Sequence, residues 1–170
     1  VDFPRDGDAN YDGVWGHNNL SFVNGWHSGK APRTNLKVLG SYSGNIAYCI
    51  EPGVPLKDGQ SMTKYDENYF NNITSNGVIS GDEIRMFIGR IMQYGYRGGV
   101  SLSWKSQNAD AANSIAHAYA TQLLIWETVI GERDANFNHK STSGYSNVKD
   151  VVSTSHPLRS KIFSYYDSMV

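Results

Sequence analysis

The sequence predicts an α+β fold, and three observations carry that expectation. The first half is cut by glycine, asparagine and serine into short runs with the spacing of strands and turns. From about residue 61 the apolar period changes from two to about 3.6. The 170 residues form one domain, large enough to bury a core, with no internal repeat and no linker that would separate a second one. Its β-rich part covers about 15–56 and 145–155, its helical part about 61–131, and a closing helix about 156–168.

In chain order, "LSFVNGW" at 20–26, "NLKVLGS" at 35–41 and "NIAYCIE" at 45–51 read as strands. In the third, alternation puts Ile46, Tyr48 and Ile50 on one face and Ala47, Cys49 and Glu51 on the other. Pro52 and Gly53 then stop the strand, since proline lacks the ladder donor and glycine admits a turn. "MTKYDENYFNNI" is a helix candidate. "SGDEIRMFIGRIMQYG" is a second, with capping-box spacing at Ser80 and Glu83 and an apolar stripe of Ile84, Phe87, Ile88, Ile91 and Met92. The longest helix spans about 109–130, with Asn108 as N-cap, Asp110 in the first turn and Gly131 past its end. "ERDANFNHKSTSGYSN" reads as a polar loop with little to bury, and the loop at 132–147 as a recognition edge or simply a solvated segment. "VKDVVS" returns as a strand, and "HPLRSKIFSYYDSM" closes the chain as a helix with Pro157 in its first turn.

Composition narrows the function classes. Hydrophobic residues make up 39% and charged residues 18%, with 17 glycines and 11 tyrosines, which describes a polar globular protein with broad aromatic surfaces. A formal charge of -1 and scattered lysines and arginines leave no footprint for nucleic acid or for an anionic membrane. "LLIW" at 123–126 falls far short of a membrane span, and "VDFPRDGD" does not read as a signal sequence, so a soluble chain is expected. No metal or other cofactor is implied, because His17, His27, His139 and His156 lack ligand spacing and Cys49 is the only cysteine.

Two residues stand out. Cys49 has no second thiol to pair with and sits on the less apolar face near a strand end. In the long helix Ile115, Tyr119, Gln122, Trp126 and Val129 fall within a stripe about 80° wide, and Gln122 is its one polar member. Ala118, Tyr119, Ile125 and Trp126 offer a primary amide no side-chain partner beyond the tyrosine hydroxyl, so a group outside the helix must account for Gln122. A solitary cysteine can be an inert small hydrophobe, and a buried glutamine can cap a backbone group. Together they permit chemistry: a thiolate attacking the carboxamide carbon expels ammonia and leaves an internal thioester, an acyl donor.

"AYCIEPG" around Cys49, followed about seventy residues later by "ATQLLIWE" around Gln122, resembles the thioester (TQXA) domain of Gram-positive surface adhesins. Position 124 departs from the motif: Leu124 stands where the family has alanine, about 160° around the helix from Gln122, a change for packing rather than for the bond. The resemblance implies a β-sandwich or barrel-like part carrying Cys49 and a helical subdomain carrying Gln122. It further implies an extracellular, cell-wall-anchored protein or pilus tip, in which this domain is a monomer within a larger chain. The thioester would acylate a lysine amine on a host surface or matrix protein, fibrinogen-like, giving an isopeptide in a single turnover rather than enzymatic catalysis. Cys49 is then the leaving thiol and Gln122 the acyl carbon, and a cross-link over that span would stabilise by up to about 4 kcal/mol.

Around the pair, Ala47 would let the helix approach, Tyr48 and Tyr119 could orient the carbonyl, and Trp126 could shield the bond from water. His117 and Glu127 each lie about 140° from Gln122 and face another layer or solvent. Two other classes stay open: a cysteine hydrolase or transferase with Cys49 as nucleophile and His117, His139 or His156 as base, and a noncovalent binding module built on the aromatic residues. A strand cysteine lacks the helix dipole that lowers a catalytic thiol's pKa, and a binding module leaves Gln122 unexplained.

Overall fold

The computed structural model describes residues 2–3, 36–38, 46–50, 52, 76–97, 109–141, 143–152, 154, 156 and 158–170. Within them lie strands β1 (Asp2–Phe3), β2 (Leu36–Val38) and β3 (Ile46–Ala47), and helices α1 (Gly81–Tyr94), α2 (Ala109–Ile130) and α3 (Arg159–Met169). The strands pair antiparallel in the order β1-β2-β3, with Lys37 opposite both Asp2 and Ala47. The sandwich or barrel, the strand at 20–26, the helix at 62–73, the Asn108 cap and Pro157 all lie outside the described residues.

α1 begins where its capping box dictates. Ser80 Oγ accepts the Glu83 N–H at 3.3 Å while Glu83 Oε2 accepts the Ser80 N–H at 2.7 Å. Its inner face buries Ile84, Phe87 and Ile91, and Ile88 and Met92 pack at the margin.

α2 is the spine, flanked by α1 and α3. Every residue from Ala118 to Ile130 is buried, so this helix has no solvent face over its last three turns. It ends in a Schellman turn: Gly131 takes φ 92°, a left-handed value that glycine adopts without strain, and the Glu132 N–H reaches the Glu127 carbonyl at 2.8 Å. Asn76 ties the approach to α1 onto the same end. Its Nδ2 donates to the Thr128 carbonyl at 2.8 Å, and its Oδ1 accepts from Val78 and Ile79 at 3.0 and 2.9 Å.

Two expectations need correction. Residues 148–151 form a 3₁₀ turn (Val148–Val151) rather than a strand. Local bonds favour the turn: Asp150 Oδ2 accepts the Asn147 N–H at 3.0 Å, and the buried Glu132 carboxylate takes the Val148 N–H at 3.0 Å. Nor is the segment after α2 an unpacked polar loop. Glu132 and Arg133 are 0% and 1% exposed, and Phe137 packs on Phe87 with ring centroids 5.0 Å apart. Arg133 bridges to His139, and Asp134 Oδ1 holds the intervening turn by accepting the Asn136 and Asn138 N–H groups, each at 2.9 Å.

Candidate functional site

β3 ends at Ala47, and the backbone then turns from sheet to helix for its partners. The Cys49 N–H donates to Gln122 Oε1 at 2.8 Å, and Gln122 Nε2 donates to the Cys49 carbonyl at 2.7 Å. One carboxamide thereby satisfies both polar backbone groups of one residue 73 positions away. This is the outside partner that Gln122 requires, since at 1% exposure an unpaired amide would cost about 1–3 kcal/mol. The alternation expected through 45–51 stops at this point. Tyr48, Cys49 and Ile50 are all half-buried against the core, because hydrogen bonding to α2 has replaced strand pairing.

The residue before each member of this pair is also engaged. The Tyr48 hydroxyl donates to the Tyr96 carbonyl, and Thr121 Oγ1 accepts the Tyr96 N–H at 3.0 Å while donating to the His117 carbonyl at 2.8 Å. Burial pushes the Tyr48 phenol well above its ordinary range, with the Thr121 hydroxyl pulling part of the way back and Tyr96 adding to the rise. Gly95 makes the approach possible. A Cβ there would stand 2.5 Å from Thr121 Cγ2 and 2.7 Å from the Ile91 carbonyl oxygen, too close for any side chain.

A family model described as a thioester domain matches residues 46–156, which takes in the Cys49–Gln122 pair and most of the described helical part. The chain belongs to the thioester-domain family. No curated protein and no solved structure matches it.

Within this thioester domain the flanking aromatics fall as the helix spacing requires. Tyr119 and Trp126 are 1% and 5% exposed, one turn to either side of Gln122. The Trp126 indole nitrogen has no hydrogen-bond partner among the described residues. The side chain of Ala47 lies outside them.

The histidines of the hydrolase reading have other engagements. His117 Nε2 meets the Tyr94 carbonyl at 3.0 Å, so that nitrogen carries the proton, and the ring stacks on Tyr165 at 4.6 Å. Burial lowers its pKa, with the Tyr94 bond opposing, and burial likewise lowers those of His139 and His156. His139 faces Glu132 at 3.5 Å, beyond the C-terminal end of α2, and His156 Nδ1 accepts the Leu158 N–H at 3.1 Å.

At that end of α2 lies a second polar centre that sequence reading missed. Glu127, fully buried, accepts from Arg133 Nε at 2.8 Å and from the Tyr166 hydroxyl at 2.7 Å, and Arg133 also donates to Tyr166 and to the Phe137 carbonyl. Glu127 therefore faces the α3 layer, one of the two environments its angle allowed. Ligand atoms of Glu127, Glu132 and His139 lie within 4.8 Å of one another, a grouping that separation along the chain concealed. The Arg133 guanidinium already supplies a positive charge there, 2.8 Å from Glu127 Oε2.

Proposed function

We propose that Cys49 and Gln122 condense to an internal thioester and that this bond captures a lysine amine on a partner protein. The observation that carries the reading is the double hydrogen bond between the Gln122 carboxamide and the Cys49 backbone. A residue directs its own N–H and C=O to the same side only when its backbone is extended, and its Cβ then stands out of the plane that holds them. The carboxamide thus meets the backbone of the residue whose side chain carries the sulfur, which brings thiol and acyl carbon to the same place.

The Cys49 thiolate attacks Gln122 Cδ, and the C=O electron pair moves onto Oε1. The Cys49 N–H, 2.8 Å from that oxygen, meets the growing negative charge, a role in which one backbone donor contributes about 3 kcal/mol. The carbonyl re-forms as the C–N bond breaks, and the nitrogen leaves as ammonia with the proton the thiol gave up. In the second stage a lysine ε-amine attacks the same carbon, the C–S bond breaks, and the Cys49 thiol takes the amine's proton. Each chain reacts once, so the domain is a capture device rather than a turnover enzyme. Tyr119 and Trp126, buried on either side of Gln122, keep water from competing as acceptor.

A bond that does not dissociate suits attachment under shear. Family membership and the resemblance to adhesin domains support a place on the outside of a Gram-positive cell, wall-anchored or at a pilus tip, with the β-rich part as a sandwich or barrel around Cys49. The partner is then a host surface or matrix protein with an accessible lysine, fibrinogen-like in kind. No helix among the described residues is long and apolar enough to cross a membrane.

Intact mass tests this directly. The native chain should weigh one ammonia less than its formula, resist thiol reagents, and gain one methylamine together with a reactive thiol when that amine is added. Cys49→Ala should show the full formula mass and no capture. Wild-type protein at full mass, with Cys49 open to alkylation from the start, defeats the proposal.

A further inference from the structure

The pair that joins Cys49 to Gln122 contains nothing specific to cysteine. Gln122 holds an N–H and a C=O, and Tyr48, Cys49 and Ile50 each offer both. A slip of one residue with the extended segment turned over would give the same two hydrogen bonds to Tyr48 or Ile50 and carry the sulfur away from the carbonyl carbon. Something else must choose the register. The neighbouring contacts do: Tyr48 reaches the Tyr96 carbonyl, the Tyr96 N–H is held by Thr121 Oγ1, and Thr121 directly precedes Gln122 on α2. Thr121 is itself fixed through the His117 carbonyl, in a space that only Gly95 leaves open.

We infer that Tyr48 and Thr121 are positioning residues which, through Tyr96, lock the 48–50 segment onto α2 in the one register that sets the Cys49 sulfur against Gln122. Neither touches the reacting atoms; they act through Cys49 and Gln122. The inference rests on the thioester reading and deepens it, assigning part of the closure rate to a peg and socket one residue upstream of the bond.

The test is re-closure. Ammonia at high concentration attacks the thioester carbon, releases the thiol and regenerates the Gln122 carboxamide; once it is removed, intact mass follows ammonia loss as the bond re-forms. Tyr48→Phe removes the hydroxyl that donates to the Tyr96 carbonyl, and Thr121→Val removes the oxygen that accepts the Tyr96 N–H, so each should re-close about tenfold more slowly than wild type. Thr121→Ser keeps the hydroxyl and should close within about twofold of wild type. Tyr166→Phe, which cuts a buried hydrogen bond at the far end of α2, should lower the melting temperature yet re-close at the wild-type rate. Wild-type rates in both Tyr48→Phe and Thr121→Val overturn the inference, as does equal slowing in Tyr166→Phe, which would reduce the effect to general stability. If Tyr48→Phe does not fold, by circular dichroism, the contrast between Thr121→Val and Thr121→Ser decides. Wild-type protein at full formula mass from the outset instead defeats the thioester reading beneath it.

Discussion

Both hydrogen bonds of Cys49 to Gln122 use its backbone, so Cys49→Ala removes the thiol of the proposed reaction while leaving the two bonds in place. That variant isolates the non-covalent pairing, and Gln122→Glu within it tests the geometry. The substitution is nearly isosteric, but it exchanges the amide donor 2.7 Å from the Cys49 carbonyl for a carboxylate oxygen, placing two acceptors against each other in a buried site. Loss of that hydrogen bond at a buried group costs about 1–3 kcal/mol, which for a domain of this size lowers the melting temperature by roughly 2–12 °C. The penalty falls on the ionised form, so the fold raises the affinity of this acid for its proton. Destabilisation appears as pH rises through its folded titration and fades below it, where the acid donates to the Cys49 carbonyl again. Thermal unfolding of Cys49→Ala with and without Gln122→Glu, near pH 7 and near pH 4, reads both parts. A difference of less than about 1 °C near pH 7, or the same difference at both pH values, refutes the pairing.

Two further predictions concern the polar centre at the C-terminal end of α2. Burial first, and then the Glu127 and Asp150 charges, push Glu132 from the ordinary 4.5 to about 8, against the Val148 N–H and Arg133, which pull down. A folded pKa above the unfolded one gives stability that is complete below the ordinary value and lost as pH rises toward 8, with a slope of up to about 1.4 kcal/mol per pH unit. His139, 3.5 Å away and lowered by burial, runs oppositely, so the Glu132 share is the difference between wild type and Glu132→Gln: urea midpoints across this range should flatten in the variant, and parallel profiles would contradict the assignment. Arg133→Met strands the fully buried Glu127 carboxylate and should cost about 3–5 kcal/mol in urea unfolding, part of it recovered by adding Glu127→Gln; a loss below about 1 kcal/mol would show that the ion pair is not buried as described.

The elements whose signals are local were legible in the sequence. Ser80 and Glu83 marked the start of α1, Gly131 marked the end of α2, and both helices run where their apolar periods place them. Gln122 was conspicuous as a polar residue in an apolar seam, and the need for a partner outside the helix followed from its amide. The partner's nature did not, because backbone N–H and C=O groups are common to all sequences and leave no mark. Thr121 passed unnoticed for a related reason: a threonine in a helix reads as bonding back to its own turn, which it does at the His117 carbonyl, and the second bond to Tyr96 depends on tertiary approach. Glu127, Arg133 and Tyr166 lie 6 and 33 residues apart along the chain, so their joint burial was hidden, and a segment rich in polar residues read as solvated. "VKDVVS" carried strand propensity, yet Asn147, Asp150 and the distant Glu132 carboxylate captured the backbone groups a ladder would have used.

The placement of the carboxamide on α2, and not on a loop, bears on how the proposed reaction would be both slow to misfire and ready to occur. A helix buried all round over its last three turns has little freedom to shift, and Gln122 lies eight residues, about 12 Å of helix rise, from its end, clear of fraying. The acyl carbon is therefore the fixed partner, and the 48–50 segment, beyond the end of a two-residue strand, is the one brought to it. Closure as proposed keeps one of the two hydrogen bonds and breaks the other. The carbonyl oxygen keeps the Cys49 N–H, but the departing nitrogen gives up its bond to the Cys49 carbonyl. In the proposed reaction the energy of that lost bond, about 1 kcal/mol, would oppose closure and favour attack by an incoming amine, whose nitrogen can restore it. An amine that delivers an N–H to the Cys49 carbonyl on reaching Gln122 Cδ thus regains what ammonia took away, whereas water leaves a carboxylate acceptor facing an acceptor. Under the proposed function, the geometry that forms the bond would also give amines an advantage over hydrolysis in opening it.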